Sequence, residues 1–172
     1  VDGLGKQVVY VVNLENGELI RKFTVDDIDT TGMTATLINK KDIGHFVTEP
    51  ACFNNAPGQI VTRCFLGDDN GMVWRLDLSD SDPARWKLQF FHDAYSGSDT
   101  SAQFTQPVVS PNRAPILSRP SLATDRSGRV VVVYGTGDIE DTSTTLRRHL
   151  VYSVTETFKL SGLGVAARAD FQ

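Results

Sequence analysis

The chain has 172 residues, 40% hydrophobic and 22% charged, with a formal net charge of -4, an ordinary composition for one soluble globular domain or part of one. Its 17 Lys and Arg are scattered singly or in pairs such as Lys40-Lys41 and Arg147-Arg148, which leaves no basic stripe for a phosphate backbone and argues against nucleic acid as a partner. The longest apolar runs, residues 8–12 and 130–134, fall far short of the roughly 20 residues that cross a bilayer, so no membrane-spanning segment is expected and both runs belong in a sheet.

At the start, Val1-Asp2-Gly3 leads straight into an apolar run with neither a Met nor a charged n-region, so the chain reads as cut from something longer. Residues 8–14 and 19–25 are predicted as two strands meeting at Asn16-Gly17. Asn-Gly suits a two-residue hairpin because both central residues of a type I′ turn take positive φ, which Gly and Asn tolerate best. The stretch 26–48 has room for one strand at 33–38.

Residues 49–53 then open a second unit, with Pro50 at a strand start, where its missing N–H does least harm. Residues 60–66 form the next strand, Asn70-Gly71 the hinge, and Met72, Trp74, Leu76 and Leu78 alternate with Val73, Arg75 and Asp77. That period of two excludes a helix. Residues 86–91 complete the unit. After a Ser-, Asp-, Gln- and Pro-rich stretch at 94–118, read as a long inter-strand loop, the order recurs at 119–123, at 128–135 past the Ser127-Gly128 hinge, and at 150–154. Four-stranded units repeated along a chain are the sign of a β-propeller. The expected fold is therefore all-β: a partial propeller of about two and a half antiparallel blades, comprising a blade part at 6–25, a blade at 49–92 and a blade at 119–158, within one domain spanning 1–172. The remaining blades would come from elsewhere in the parent chain or from a partner.

The run Phe65-Leu66-Gly67-Asp68-Asp69-Asn70-Gly71-Met72-Val73-Trp74-Arg75-Leu76-Asp77-Leu78 resembles the blade signature "Y-V-G-D-x-x-G-x-V-W-R-x-D-L" of the PilY-type type IV pilus tip and biogenesis factors. Val132-Val133-Tyr134-Gly135-Thr136-Gly137, followed by Val151-Tyr152-Ser153-Val154, is similar to that family's "F-G-T-G" run and next strand, and Val9 to Leu19 resembles the preceding blade. The resemblance spans roughly residues 6–158 in the family's order. It implies a non-enzymatic extracellular protein whose C-terminal propeller sits at the pilus tip with minor pilins and supports assembly, adhesion and motility, with a host or surface receptor as a further partner. It also implies secretion to the pilus tip or cell surface. Such propellers can carry calcium on an EF-hand-like loop, but this sequence lacks the alternating Asp/Asn ligands with a closing acid. No cofactor and no metal residue are therefore assigned.

Three acidic clusters offer oxygens to a hard cation: Asp26, Asp27 and Asp29; Asp68 and Asp69; and Asp138, Glu140 and Asp141. Turn acids more often bond nearby backbone N–H groups. Cys52 and Cys64 flank Pro57-Gly58 symmetrically, so in a hairpin they face one another and can form a disulfide; two buried free thiols explain the sequence equally well. His45, His92 and His149 share no ligand spacing and are read as surface or loop residues. No triad, G-x-S-x-G or Walker loop is present, Gly135-Thr136-Gly137 lacks a third glycine, and no catalytic residue is assigned. Trp74 and Trp86 are read as packing residues. An alternative function is a quinoprotein-dehydrogenase-like propeller enzyme, since residues 12–23 resemble one such repeat; Arg21 stands where its docking Trp belongs. Outer-membrane assembly scaffold lipoproteins, built on similar blades, are a third reading.

Overall fold

The computed structural model describes residues 8–29, 44–54, 60–95, 113–137 and 149–157. Among them the fold is all-β, with ten strands in three sheets and no α-helix. The strands are β1 (Val8–Val12), β2 (Leu19–Thr24), β3 (Ile28–Asp29), β4 (Ala51–Asn54), β5 (Val61–Gly67), β6 (Met72–Asp77), β7 (Lys87–Asp93), β8 (Ser121–Thr124), β9 (Val130–Gly135) and β10 (Val151–Thr155). β1 and β2 form an antiparallel pair, β4 to β7 run as an antiparallel meander, and β8 to β10 form another. The strand expected at 33–38, the acids Asp138, Glu140 and Asp141, the Pro57-Gly58 turn, the tail from 159 and most of the 94–118 loop lie outside the described residues.

Alternation in the middle meander sends apolar side chains to both of its faces. Cys64, Leu66, Met72, Trp74, Leu76, Leu88 and Phe90 gather on one face with Phe23 of β2, and Val9 and Val11 of β1 pack against them. Phe65, Val73 and Phe91 point the other way and meet Val130, Val132 and Tyr134 of β9 and Val154 of β10. All six residues of β6 are buried. The middle sheet is thus sandwiched between the other two, each of which needs it to cover its own apolar face.

One strand departs from the expected plan. β2 runs through a 3-10 turn, where Thr24 and Asp27 cap one another reciprocally, into β3, which pairs in parallel with the outer edge of β7. Lys87 reaches Asp29 at 3.1 Å across that edge. A two-residue strand carries no periodicity, so the sequence pattern of 26–48 did not reveal it.

The hairpins form at the expected hinges but not through type I′ turns. No residue other than glycine has positive φ among those described, so Asn16, Asn70 and Ser127 stay on the negative side while Gly17, Gly71 and Gly128 take φ of 73°, 78° and 76°. The turn is set instead by the acid or amide that opens it. Asp68 Oδ1 accepts from Asn70 N and Met72 N, and Asp125 Oδ1 from Ser127 N and Arg129 N. Asn13 Oδ1 accepts from Glu15 N in a turn one residue longer. The carboxylate-led turn closed by a left-handed glycine, at Asp68 and Asp125, is the three-residue loop solution to the same hairpin.

Charge is buried between the second and third sheets. Arg75, fully buried, donates through Nε to Glu156 Oε1 at 2.5 Å and also hydrogen-bonds Gln89. Arg63 pairs with the other Glu156 oxygen at 2.9 Å. Glu156 follows β10, so one carboxylate holds two strands of the middle sheet to the third sheet. Its loss would leave both buried guanidinium groups with Asp77, 3.4 Å from Arg75, as the carboxylate still beside them, one counter-charge for two cations.

Cys52 and Cys64 are direct cross-strand partners in β4 and β5, with Cα atoms 4.0 Å apart and the sulfurs bonded. Two outcomes are expected in solution. Unfolded, unreduced chain should offer no thiol to a maleimide, and full labelling would contradict the bond. Glu156→Ala should lower the unfolding free energy in urea by about 3–5 kcal/mol, the range for removing one partner of a buried pair, whereas Arg85→Ala, at an exposed pair, should be close to neutral.

Candidate functional site

Among the described residues, the chain leaves at Tyr95 and Gly137 and re-enters at Gly44, Arg113 and His149 at one end of the sheets. β5 and β7 run in the same direction, so the β5–β6 turn at Asp68 to Gly71 and the end of β7 at Asp93 share that end, where Ala94 N donates to Gly71 O. β3, parallel to β7, heads the same way, and the chain re-enters at Gly44 and His45 against Asp68 and Asp69. After 94–95 it re-enters at Arg113, and Ile116 N donates to Asp68 O. Beyond β9, Gly137 N donates to Pro115 O, and the chain comes back at His149, whose ring packs on Gly137.

Asp68 is the anchor of this end. It is fully buried and its carboxylate accepts four N–H groups: Asn70 N and Met72 N at Oδ1, and Gly44 N and the Trp74 indole at Oδ2. Four donors fill the lone-pair sites of a carboxylate, which leaves none for a cation. Burial pushes its pKa up to about 6, against the opposing pull of those donors. Trp74, read as a packing residue, is buried as well as bonded to Asp68.

A second knot closes the base of the long loop. Arg113 donates through Nε to Asn70 O at 2.7 Å, pairs with Asp93 and lies over the Tyr95 ring at 5.1 Å. The Tyr95 hydroxyl donates to Thr136 Oγ1 and accepts from Ala114 N. Thr136 Oγ1 also accepts from Leu150 N, so the Gly135-Thr136-Gly137 stretch is a junction between strands. Glycine is obligatory here for lack of room: a Cβ on Gly71 would lie 2.6 Å from the Tyr95 ring, and one on Gly67 2.6 Å from Ile116.

The remaining candidates are dispersed. Asp27 is held below the usual carboxylate range by hydrogen bonds from Thr24, and Asp29 binds Lys87. Asp69 pairs with the exposed ring of His45 at 2.7 Å. His92 lies between sheets, sharing a 2.5 Å hydrogen bond with the Tyr134 hydroxyl and packing on Tyr152; burial raises the Tyr134 phenol well above its ordinary value. Trp86 is half-buried and donates to Asp80 O. Arg21 lies over Phe23. Among the described residues no three His, Cys, Asp or Glu side chains gather to hold a metal, and no helix is long and apolar enough to cross a membrane. Sequence reasoning did not single out Arg113, Tyr95 or Glu156, whose partners are remote along the chain, and it weighed Thr136 only as part of a glycine motif.

No protein-family model matches the chain. It is 30% identical over 87 residues, half its length, to a type IV pilus biogenesis factor PilY1 homolog of Xylella fastidiosa strain Temecula1, of which the match covers 6%. Its fold superposes on the crystal structure of the Pseudomonas aeruginosa PilY1 C-terminal domain with a TM-score of 0.56 and 20% identity, covering 96% of this chain and 34% of that one. The PilY-type resemblance is thereby confirmed. The chain covers about a third of that PilY1 C-terminal domain.

The raised pKa of Asp68 makes a prediction with a definite sign. A carboxyl that binds its proton more tightly when folded than when unfolded gives stability that is full below the unfolded value of 3.8 and is lost as pH rises through about 6. The loss is about 3 kcal/mol for this one group. Asp68→Asn should abolish that part of the pH dependence. It should also cost about 1–3 kcal/mol at acidic pH, because the amide group turns a donor toward the Gly44 and Trp74 donors. Urea titrations across that interval test both.

Proposed function

We propose that the chain is a stretch of a β-propeller in a type IV pilus biogenesis factor, acting in pilus assembly, adhesion and motility at the pilus tip as a display scaffold without catalysis of its own. The observation that carries this reading is the sequence identity to a pilus biogenesis factor together with a fold likeness over nearly the whole chain. Three sheets stacked face to face, the middle one a four-strand meander with β3 added at its edge, support the propeller part. On this reading the outward sides of the first and third sheets, with Tyr10, Ile20 and Val151 exposed, meet further blades of the parent protein. The end anchored by Asp68 and Arg113 holds the long loops toward minor pilins or a surface receptor, where loops on a rigid scaffold commonly carry binding. The protein would reach the cell surface by secretion, and its disulfide suits oxidising surroundings. Calcium has no supporting ligand set among the described residues.

Deleting the gene for the parent protein should remove surface pili and surface motility. Replacing residues 96–112 by a Gly/Ser linker of equal length should leave pili in place and reduce attachment. Normal piliation in the deletion strain would overturn the pilus assignment, and unchanged attachment by the linker variant would overturn the display role of that loop.

A further inference from the structure

We propose that Asn16 is a modification site, at which the side-chain amide is lost spontaneously to give aspartate and isoaspartate. The chain has two Asn-Gly pairs at hairpin turns, Asn16-Gly17 and Asn70-Gly71, and the structure places them in opposite chemical situations.

The reaction begins when the backbone nitrogen of the following residue attacks the Asn side-chain carbon, and a side chain on that residue is the main obstacle. Gly17 has none, and the place a Cβ would occupy has no heavy atom within 4 Å. Glu18 N donates to Asn16 Oδ1 at 3.0 Å. That hydrogen bond closes a ring containing both the amide carbon and the Gly17 nitrogen, so nucleophile and target are held together. The same N–H remains on the oxygen as it gains negative charge, the placement that stabilises a tetrahedral intermediate. Glu18 Oε2 accepts from Asn16 Nδ2 at 3.1 Å and so holds the nitrogen that departs. The Gly17 N–H, bonded to Asn13 O at 2.8 Å, must first be released, and an exposed turn tip opens at small cost.

The steps balance with water as the only co-reactant. Gly17 N loses its proton to solvent hydroxide and bonds to the Asn16 side-chain carbon. The carbon–Nδ2 bond breaks, and the nitrogen takes one proton from solvent and leaves as ammonia. Water then opens the cyclic imide at either carbonyl. A carboxylate is left between Glu15 and Glu18, and the isoaspartate product lengthens the backbone one step before Leu19, which pairs with Val12.

Asn70-Gly71 is the same dipeptide with this path closed. A Cβ at Gly71 would lie 2.6 Å from the Tyr95 ring and 2.9 Å from Ala114 O. Asn70 N is bonded to the buried Asp68 carboxylate and Asn70 O to Arg113. Rotation of this peptide unit would undo the anchor of the whole end.

The folded chain, held at mildly alkaline pH, is sampled over time, digested and separated so that Asn, Asp and isoaspartate peptides resolve at both positions. Conversion at Asn16 is expected to be at least about tenfold faster than at Asn70, a ratio equal to ~1.36 kcal/mol in activation free energy. In urea-unfolded chain the two rates should converge, which assigns the difference to the fold. Asn16→Gln should remove the product from that peptide. An intact Asn16 in folded chain, or equal rates at the two sites, overturns the proposal.

Discussion

A sheet that carries apolar side chains on both faces cannot remain exposed on either, and in the middle sheet of this chain every residue of β6 is buried. Its strands β5, β6 and β7 send one set of side chains toward β1 and β2 and the next set toward β9 and β10. The flanking sheets depend on it in turn, since a two-stranded pair has too little surface of its own to be stable alone. Apolar contact is non-directional and would tolerate some sliding between layers. The Arg63, Arg75 and Glu156 cluster removes that freedom, because sliding the third sheet would carry the Glu156 oxygens away from both guanidinium groups.

Polar groups therefore sit where the fold needs direction. Asp68 gathers N–H groups from a turn, a strand, an indole and the incoming residue Gly44. Arg113 does the converse, bringing donors to a carbonyl and a carboxylate. Each is engaged within the fold, so the two together fix where the chain enters and leaves this end.

The strands were legible in the sequence wherever alternation was long enough to register. Residues 72–77 and 130–135 are strands as their patterns required, and the unit order at 49–92 follows directly. The hinge positions were also legible. The mechanism of the hinges was not, because the dipeptide Asn-Gly is shared by two kinds of turn, and the deciding residue, Asp68 or Asp125, stands earlier in the chain. Arg75 and Asp77 could be assigned to a face, but burial of that face depends on a sheet some 50 residues downstream. Asp68 was visible as an acid in a turn, and its bonds to Gly44 and Trp74 arise only when separate elements meet. Motif order along the chain carried the family resemblance, which the similarity to PilY1 proteins bears out.

The short strand β3 has a mechanical consequence. β2 continues through a single 3-10 turn into β3, which is hydrogen-bonded to the outer edge of β7 and tied there by Lys87 and Asp29. A load that drew the first sheet away from the second would have to shear this clasp as well as part the apolar layers. Tension entering the chain from its N-terminal side is thus handed sideways to a second layer, so that two sheets share a strain that would otherwise unzip one hairpin.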